Sequence, residues 1–368
     1  MLYDCIIIGA GPAGLMAARH LKGKNFLVID GKQKIGKLLH CGEGVRQQEF
    51  RQLFGRLGKP IVANAVRYQE VMGKKYSRKF PISFLQLNRP EFEKWLAKPV
   101  KDKIRLNCFC TDIRIHEQYV EVFCSGKTLK SKTVILAHGP SYSMQKRLGL
   151  IRNEPQFVIG YGGIFDYRSV RPDTFHYLFD DNNFGYLWLF PKSKKSANIG
   201  FAGLNVKNPK AVLPELLKKF GITAKQKSEY SGLIPISGPI DRTYSDRILV
   251  AGTAAGLVCA GTGEGVYYAL ASGKMAAETI NKALHRQIFG SAMMREYEQR
   301  WKRELDKSMK AGIIFRDLLY FAFKTHRMAW LIRQPSDHEL KEMLLGGKTP
   351  RRALIAWNII RAFGFCPR

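Results

Sequence analysis

The chain opens on an unbroken apolar run, Cys5-Ile-Ile-Ile8, and a second, Phe26-Leu-Val-Ile29, follows after a helix-length gap. Runs of this kind fit strands buried on both faces, whereas strict alternation marks strands with one solvated face. Between them, Leu15 to Leu21 reads as helix, so the chain begins with a β-α-β unit. Two more runs return much later: Thr133-Val-Ile-Leu-Ala137 and Arg247-Ile-Leu-Val-Ala-Gly252. The stretches Lys59 to Pro90 and Gln156 to Tyr230 are strand-like but more polar. Arg89-Pro-Glu-Phe-Glu-Lys-Trp-Leu96 begins a helix, with Pro90 tolerated in its first turn. Ile104 to Leu136 alternates like strands around a Ser125-Gly126 turn. From about Ala254 the pattern is mostly helical, and it ends on an apolar stripe from Ala353 to Phe365 that carries Arg361.

This order predicts an α/β fold with β-rich insertions. A Rossmann-like nucleotide-binding domain is expected from residues 1–58, 91–150 and 240–285. Residues 59–90 and 151–239 form a β-rich substrate domain, and residues 286–368 a helical C-terminal region. One strand stands out. In Tyr186-Leu-Trp-Leu-Phe-Pro-Lys192, side chains alternate faces, so Tyr186, Trp188 and Phe190 share one wall while Leu187 and Leu189 pack behind it.

Glycines then add chemistry. Gly9-Ala-Gly-Pro-Ala-Gly14 lies between the first strand and the helix, where Gly9, Gly11 and Gly14, with the small Ala13, permit a tight turn and close approach to a pyrophosphate. The helix N-terminus offers free N–H groups to the phosphates. Asp30 ends the second strand about twenty residues on, where a carboxylate can accept ribose hydroxyls. An adenine dinucleotide is the expected ligand, bound where Gly9, Gly139 and Gly252 end their strands.

Composition narrows the setting. The 368 residues include 60 Lys+Arg against 30 Asp+Glu, a formal charge of +30 that attracts polyanions. The basic residues are spread along the whole chain and form no nucleic-acid module, so nucleic acid is not expected as a partner. The seven cysteines show no metal-binding spacing, and we expect no metal. The first strand begins too close to Met1 for a signal peptide, and the most apolar late stretch, Ile313 to Ile332, is broken by Arg316, Asp317, Lys324, His326 and Arg327. A reduced, cytoplasmic protein is expected, acting as a monomer.

Four motifs together resemble the geranylgeranyl reductase family, a branch of the glutathione-reductase-type, aromatic-hydroxylase-like FAD fold. They are Gly9 to Gly14, His40-Cys-Gly-Glu-Gly44, the region Gly252 to Val266, and Tyr186-x-Trp188-x-Phe190-Pro191 followed by Gly200. The resemblance implies FAD, held by Gly9, Gly11, Ala13, Gly14, Asp30, Cys41, Gly42, Gly44, Arg89, Cys110, Gly252, Thr253, Gly265 and Val266. It implies reduction of carbon–carbon double bonds in a prenyl lipid lying along Tyr186, Trp188 and Phe190. Cys41 is placed near flavin and substrate, and Cys41 or Tyr186 is the candidate catalytic group. Glu264 reads as solvent-exposed or as a helix cap. The reductant is NAD(P)H or a ferredoxin.

Three positions depart from the family pattern. Ala202 replaces a glycine, and Thr253 and His138 replace aspartates, which predicts weaker FAD binding unless other groups compensate. A lipid substrate gives the charge a purpose, since a basic face with the stripe from Ala353 to Phe365 suits docking on the inner face of an anionic membrane. The competing expectations are a flavin monooxygenase or halogenase of the same fold, and a lipid- or nucleotide-binding protein that has lost catalysis.

Overall fold

The computed structural model describes all residues except 24, 38–40, 74, 181–183, 205, 345–348 and 363–368. His40 and the end of the C-terminal apolar stripe therefore lie outside the described residues.

The four apolar runs become the centre of one sheet. Strands Ile248–Val250, Lys127–Leu136, Leu2–Ile8 and Phe26–Ile29 lie parallel in that order, with Ile6 in register with Val134 on one side and Leu27 on the other. Ile6, Ile7, Val28, Ile135 and Leu249 are wholly buried, which is why these runs carry no polar alternation. Strands Cys110–Ile115 and Val120–Cys124 form a hairpin that extends Lys127–Leu136 antiparallel. Beside the sheet, helix Pro12–His20 packs on helix Val266–Arg286. Their approach is so close that a Cβ at Gly273 would stand 2.2 Å from the carbonyl oxygen of Ala13. The mixed α/β expectation holds.

A second, nine-stranded sheet is built mainly from Val62–Gly73, Tyr76–Leu87 and the antiparallel strands between Phe157 and Pro235. The short strand Gly44–Arg46 joins its edge by pairing with Tyr76–Leu87, so the segment after Cys41 is hydrogen-bonded to this sheet. Strand Gly185–Pro191 lies inside the sheet, between Thr174–Phe179 and Ser196–Gly203. Its two faces separate as the alternation requires. Leu187 and Leu189 pack with Ile199, Phe201 and helix Pro209–Lys219, while Trp188 and Phe190 belong to a different cluster on the opposite face.

Helix Ser291–Lys324 joins the two halves. Near its start Tyr297 Oη donates to Val250 O at 2.8 Å, and Trp301 Nε1 donates to Thr243 Oγ1 at 2.8 Å. Further along, Ile314, Phe315 and Leu318 pack with Trp188 and Phe190. Helices Met328–Arg333 and Arg351–Ala362 complete that cluster, the latter fixed by a hydrogen bond from Trp357 Nε1 to Asp317 Oδ2 at 2.8 Å.

Candidate active site

The glycine turn divides into packed and open positions. A Cβ at Gly9 would lie 2.3 Å from Ala137 O, and one at Gly14 would lie 1.8 Å from Gly9 O, so these two let strand and helix close together. Gly11 and Gly139 face empty space at the same carboxyl edge of the sheet. Ala13 is buried against the Gly252 turn. Asp30 is already engaged by backbone: Oδ2 accepts from Ala10 N at 2.6 Å and Oδ1 from Lys32 N at 2.8 Å. Its carboxylate is thereby fixed at the edge of the turn.

Arg89 is buried, not exposed. Its guanidinium pairs with Glu93, its backbone N–H donates to Glu43 Oε1 at 3.0 Å, and its Nε has no hydrogen-bond partner. His138, at the end of the strand beside Gly9, likewise has a buried, unpartnered Nε2. Burial pushes its imidazole down to about 4, so it is neutral at pH 7. Burial, and after it the neighbouring Cys124, push the Cys110 thiol up to about 12, which leaves only its backbone as a useful contact.

Two loops meet above the second sheet. In the first, Cys41 Sγ accepts from Glu43 N at 3.1 Å, and Glu43 holds left-handed backbone at φ 66°. The Glu43 carboxylate justifies that conformation. Oε2 accepts from Lys192 Nζ at 2.6 Å and from Asn198 Nδ2 at 3.1 Å. Gly42 and Gly44 are pressed by the aromatic wall, since a Cβ at 42 would lie 3.1 Å from Phe190 and one at 44 would lie 2.9 Å from Phe175. In the second loop, Gly252 N donates to Ser272 Oγ at 2.9 Å, and Thr253 sits half-buried with its carbonyl accepting from Tyr142 Oη at 2.6 Å. Gly265 and Val266 open helix Val266–Arg286, whose first turn has no side-chain cap. Free amides there suit an electron-rich ring.

Between the loops and the sheet lies a cavity of about 1120 Å³. Tyr177, Tyr186, Trp188 and Phe190 line it together with Cys41 and Gly42. Phe175 and Phe190 stack with centroids 4.1 Å apart, and Tyr177 meets Tyr186 edge-on at 5.5 Å. Sequence reasoning found the three aromatics of Gly185–Pro191 but missed Tyr177 and Phe175, which come from the neighbouring strand. It also missed Asn198, a wholly buried amide whose Oδ1 accepts from Trp188 Nε1 at 2.9 Å and Tyr230 Oη at 2.7 Å. A lone polar residue inside the apolar strand Ser196–Gly203 was the available signal.

One expectation fails. Glu264 is neither exposed nor a cap: its side chain is 8% exposed and pairs with Arg46 Nε at 2.7 Å. The partner lies 218 residues away, where no local pattern reveals it.

The residues fit FAD. The turn opens at Gly11 and Gly139, and two buried nitrogens, Arg89 Nε and His138 Nε2, stand without partners near it or near the Cys41 loop. Among the described residues no cluster suits a metal ion.

This combination of fold and site defines an FAD-dependent oxidoreductase. The chain belongs to the family described as lycopene cyclase protein, whose model matches residues 4–334. The resemblance drawn from the four motifs is also borne out. The digeranylgeranylglycerophospholipid reductase 1 of Methanosphaera stadtmanae is 28% identical over 341 residues, covering 86% of this chain and 84% of that protein. The digeranylgeranylglycerophospholipid reductase of Methanocaldococcus jannaschii is 27% identical over 346 residues, covering 86% and 87%. In fold, the chain matches a geranylgeranyl bacteriochlorophyll reductase-like protein from Thermoplasma acidophilum with a TM-score of 0.80 at 19% identity, covering 99% and 97% of the two chains. A flavin-dependent brominase shares the fold at a TM-score of 0.74 and 20% identity, covering 99% of each chain.

Proposed function

We propose that this protein saturates carbon–carbon double bonds in the prenyl chains of a glycerophospholipid-type substrate. The observation that carries the reading is the aromatic-walled cavity directly against the Cys41 and Gly261–Val266 loops. An extended hydrocarbon gains about 0.8 kcal/mol for each buried CH₂, so such a wall binds by length and not by polar contacts. A second cavity of about 680 Å³ shares Phe179, Tyr186, Ala202 and Ile234 with the first, which lengthens the apolar path. The relatives named as digeranylgeranylglycerophospholipid reductases support the substrate class.

The cradle of Gly9, Gly11, Gly14, Asp30 and Arg89 would hold the nucleotide, and the Cys41–Gly44 and Gly252–Val266 loops the flavin ring. When bound and reduced, FAD supplies a hydride, replenished by NAD(P)H or a ferredoxin. Trp188, Phe190 and Tyr177 hold the alkene in place and keep water from it. Cys41 borders both flavin loop and cavity, where it contacts substrate.

The test is an anaerobic absorption titration. Protein is reduced with dithionite and given a geranylgeranyl glycerophospholipid. Reoxidation of the bound flavin by lipid alone is the expected result. Reoxidation only when oxygen enters would point to monooxygenase or halogenase chemistry. A protein without a flavin band would be a binding protein.

Among the described residues no helix is long and apolar enough to cross a membrane. We further propose peripheral docking on the cytoplasmic face of an anionic bilayer. Helices Met328–Arg333 and Arg351–Ala362 expose Trp330, Leu354, Ile355 and Ile359 beside the exposed Arg333, Arg351 and Arg361. Met328 and Ile332, on the first of these helices, line the two cavities. Apolar side chains with a basic surround suit the interface. Sedimentation with anionic liposomes at low salt should carry the protein down, and Ile355→Glu with Ile359→Glu should leave it in the supernatant. Failure of the unaltered protein to sediment would remove the docking reading.

A further inference from the structure

Saturating an isolated alkene consumes a hydride and a proton, and the reductase reading above leaves the proton without a source. Tyr186 is committed elsewhere, because its hydroxyl donates to Thr262 O at 2.6 Å. Glu264 is placed differently. It lines the large cavity within the Gly261–Val266 loop, and its two carboxyl oxygens are unequal. Oε2 accepts from Arg46 Nε, while Oε1 is buried without a hydrogen-bond partner in the structure. A buried carboxylate oxygen in that position is costly unless it carries a proton or meets a ligand.

The surroundings agree. Burial raises the Glu264 carboxyl above its ordinary range even beside Arg46. Arg46 is itself shared, with Glu49 at 3.3 Å and with the Tyr268 hydroxyl, which bonds in turn to Ser308. The other ionisable groups facing this point are Tyr177 and Tyr186 from the second sheet and Tyr267 from the helix that follows the loop. All three tyrosines are pushed upward by burial and stay neutral.

We propose that Glu264 is the proton donor to the alkene, a catalytic role resting on the prenyl reductase reading. The carboxyl O–H bond breaks as a C–H bond forms at one alkene carbon from the π electron pair. The other carbon takes the hydride supplied by the reduced flavin. The alkene gains two electrons and the flavin loses two. Arg46 stabilises the carboxylate left behind, which makes the buried acid competent to give up its proton. Water restores the proton through the open cavity once the saturated chain has left.

The test joins infrared spectroscopy to single-turnover kinetics on FAD-loaded protein. At pH 7 the unaltered protein should show a protonated-carboxyl C=O stretch that moves in D₂O and on adding geranylgeranyl glycerophospholipid. Glu264→Gln should lack that band, should still bind and reduce FAD, and should be reoxidised by lipid about 100-fold more slowly, as expected for a lost general acid. Glu264→Asp keeps an acid but withdraws it by one methylene, so its band should persist at a shifted position with intermediate turnover. Unchanged kinetics in Glu264→Gln, or no band assignable to position 264, would overturn the proposal. Should Glu264→Gln fail to fold, the band in the unaltered protein and its shift in Glu264→Asp decide the question. If lipid fails to reoxidise even the unaltered protein while the band is present, the prenyl reductase reading is what falls.

Discussion

Trp188 and Asn198 hold each other across neighbouring strands, with the indole Nε1 2.9 Å from the amide oxygen. The same amide uses its whole capacity, accepting also from Tyr230 Oη and donating to Cys41 O at 3.0 Å and Glu43 Oε2 at 3.1 Å. One wholly buried side chain therefore joins the aromatic wall to the cysteine loop. Asn198→Ala would strand two buried donors at about 1–3 kcal/mol each. We expect a melting temperature lower by several degrees and weakened FAD binding, and Asn198→Asp should be worse because it turns a new acceptor toward Cys41 O and Glu43. Urea unfolding monitored by tryptophan fluorescence checks both. Stability unchanged in either variant would contradict the account.

Gly200 sits beneath the same tryptophan. A Cβ there would lie 2.2 Å from Trp188 Cζ2 and 2.6 Å from Tyr161 O, so a ring or a strand must move. Gly200→Ala is expected to cost about 1–3 kcal/mol, as overpacking of a filled site does, and to shift Trp188 emission. Lipid turnover should fall more than FAD affinity, because the displaced ring belongs to the cavity.

His138 gives a pH dependence with a definite sign. Its imidazole falls from an ordinary value of 6.5 to about 4 in the folded protein. Between those values the unfolded chain binds a proton that the folded chain refuses, so this residue destabilises the fold as pH drops through the window. The full effect is on the order of 3 kcal/mol. Comparing unfolding free energies at pH 7 and pH 4.5, His138→Asn should lose less stability than the unaltered protein. Parallel losses would remove His138 as the cause.

The resemblance drawn from the four motifs implies an aspartate where this chain carries Thr253. Isothermal titration of apoprotein with FAD should show tighter binding for Thr253→Asp, by about tenfold if a charge-assisted hydrogen bond adds about 1.4 kcal/mol. Equal or poorer affinity would mean that the half-buried turn, held by Tyr142, already satisfies the ligand.

The sequence displayed those parts of the molecule that repeat a simple period. Unbroken apolar runs became doubly buried parallel strands, and the alternation of Tyr186 to Pro191 put Leu187 and Leu189 on the opposite face from Trp188 and Phe190. What stayed hidden depends on pairings across long chain separations. Glu264 looks like any loop glutamate until Arg46 is brought beside it, and Asn198 is a single letter in an apolar strand until Trp188, Tyr230 and Cys41 converge on it. Glu43 lay inside a recognised motif, yet nothing local to it predicts Lys192 as a partner.

Glu43 also reverses a familiar expectation. A left-handed backbone usually welcomes glycine. Here a glycine would ease the turn and release Lys192, Asn198 and the Arg89 backbone together. With Gly44–Arg46 zipped to Tyr76–Leu87 as well, the cysteine loop is bonded to the second sheet, while Arg46 ties the same segment to Glu264 ahead of helix Val266–Arg286. Any hinge between the two sheets would therefore strain the Arg46–Glu264 pair, while Asn198 keeps Cys41 beside Trp188.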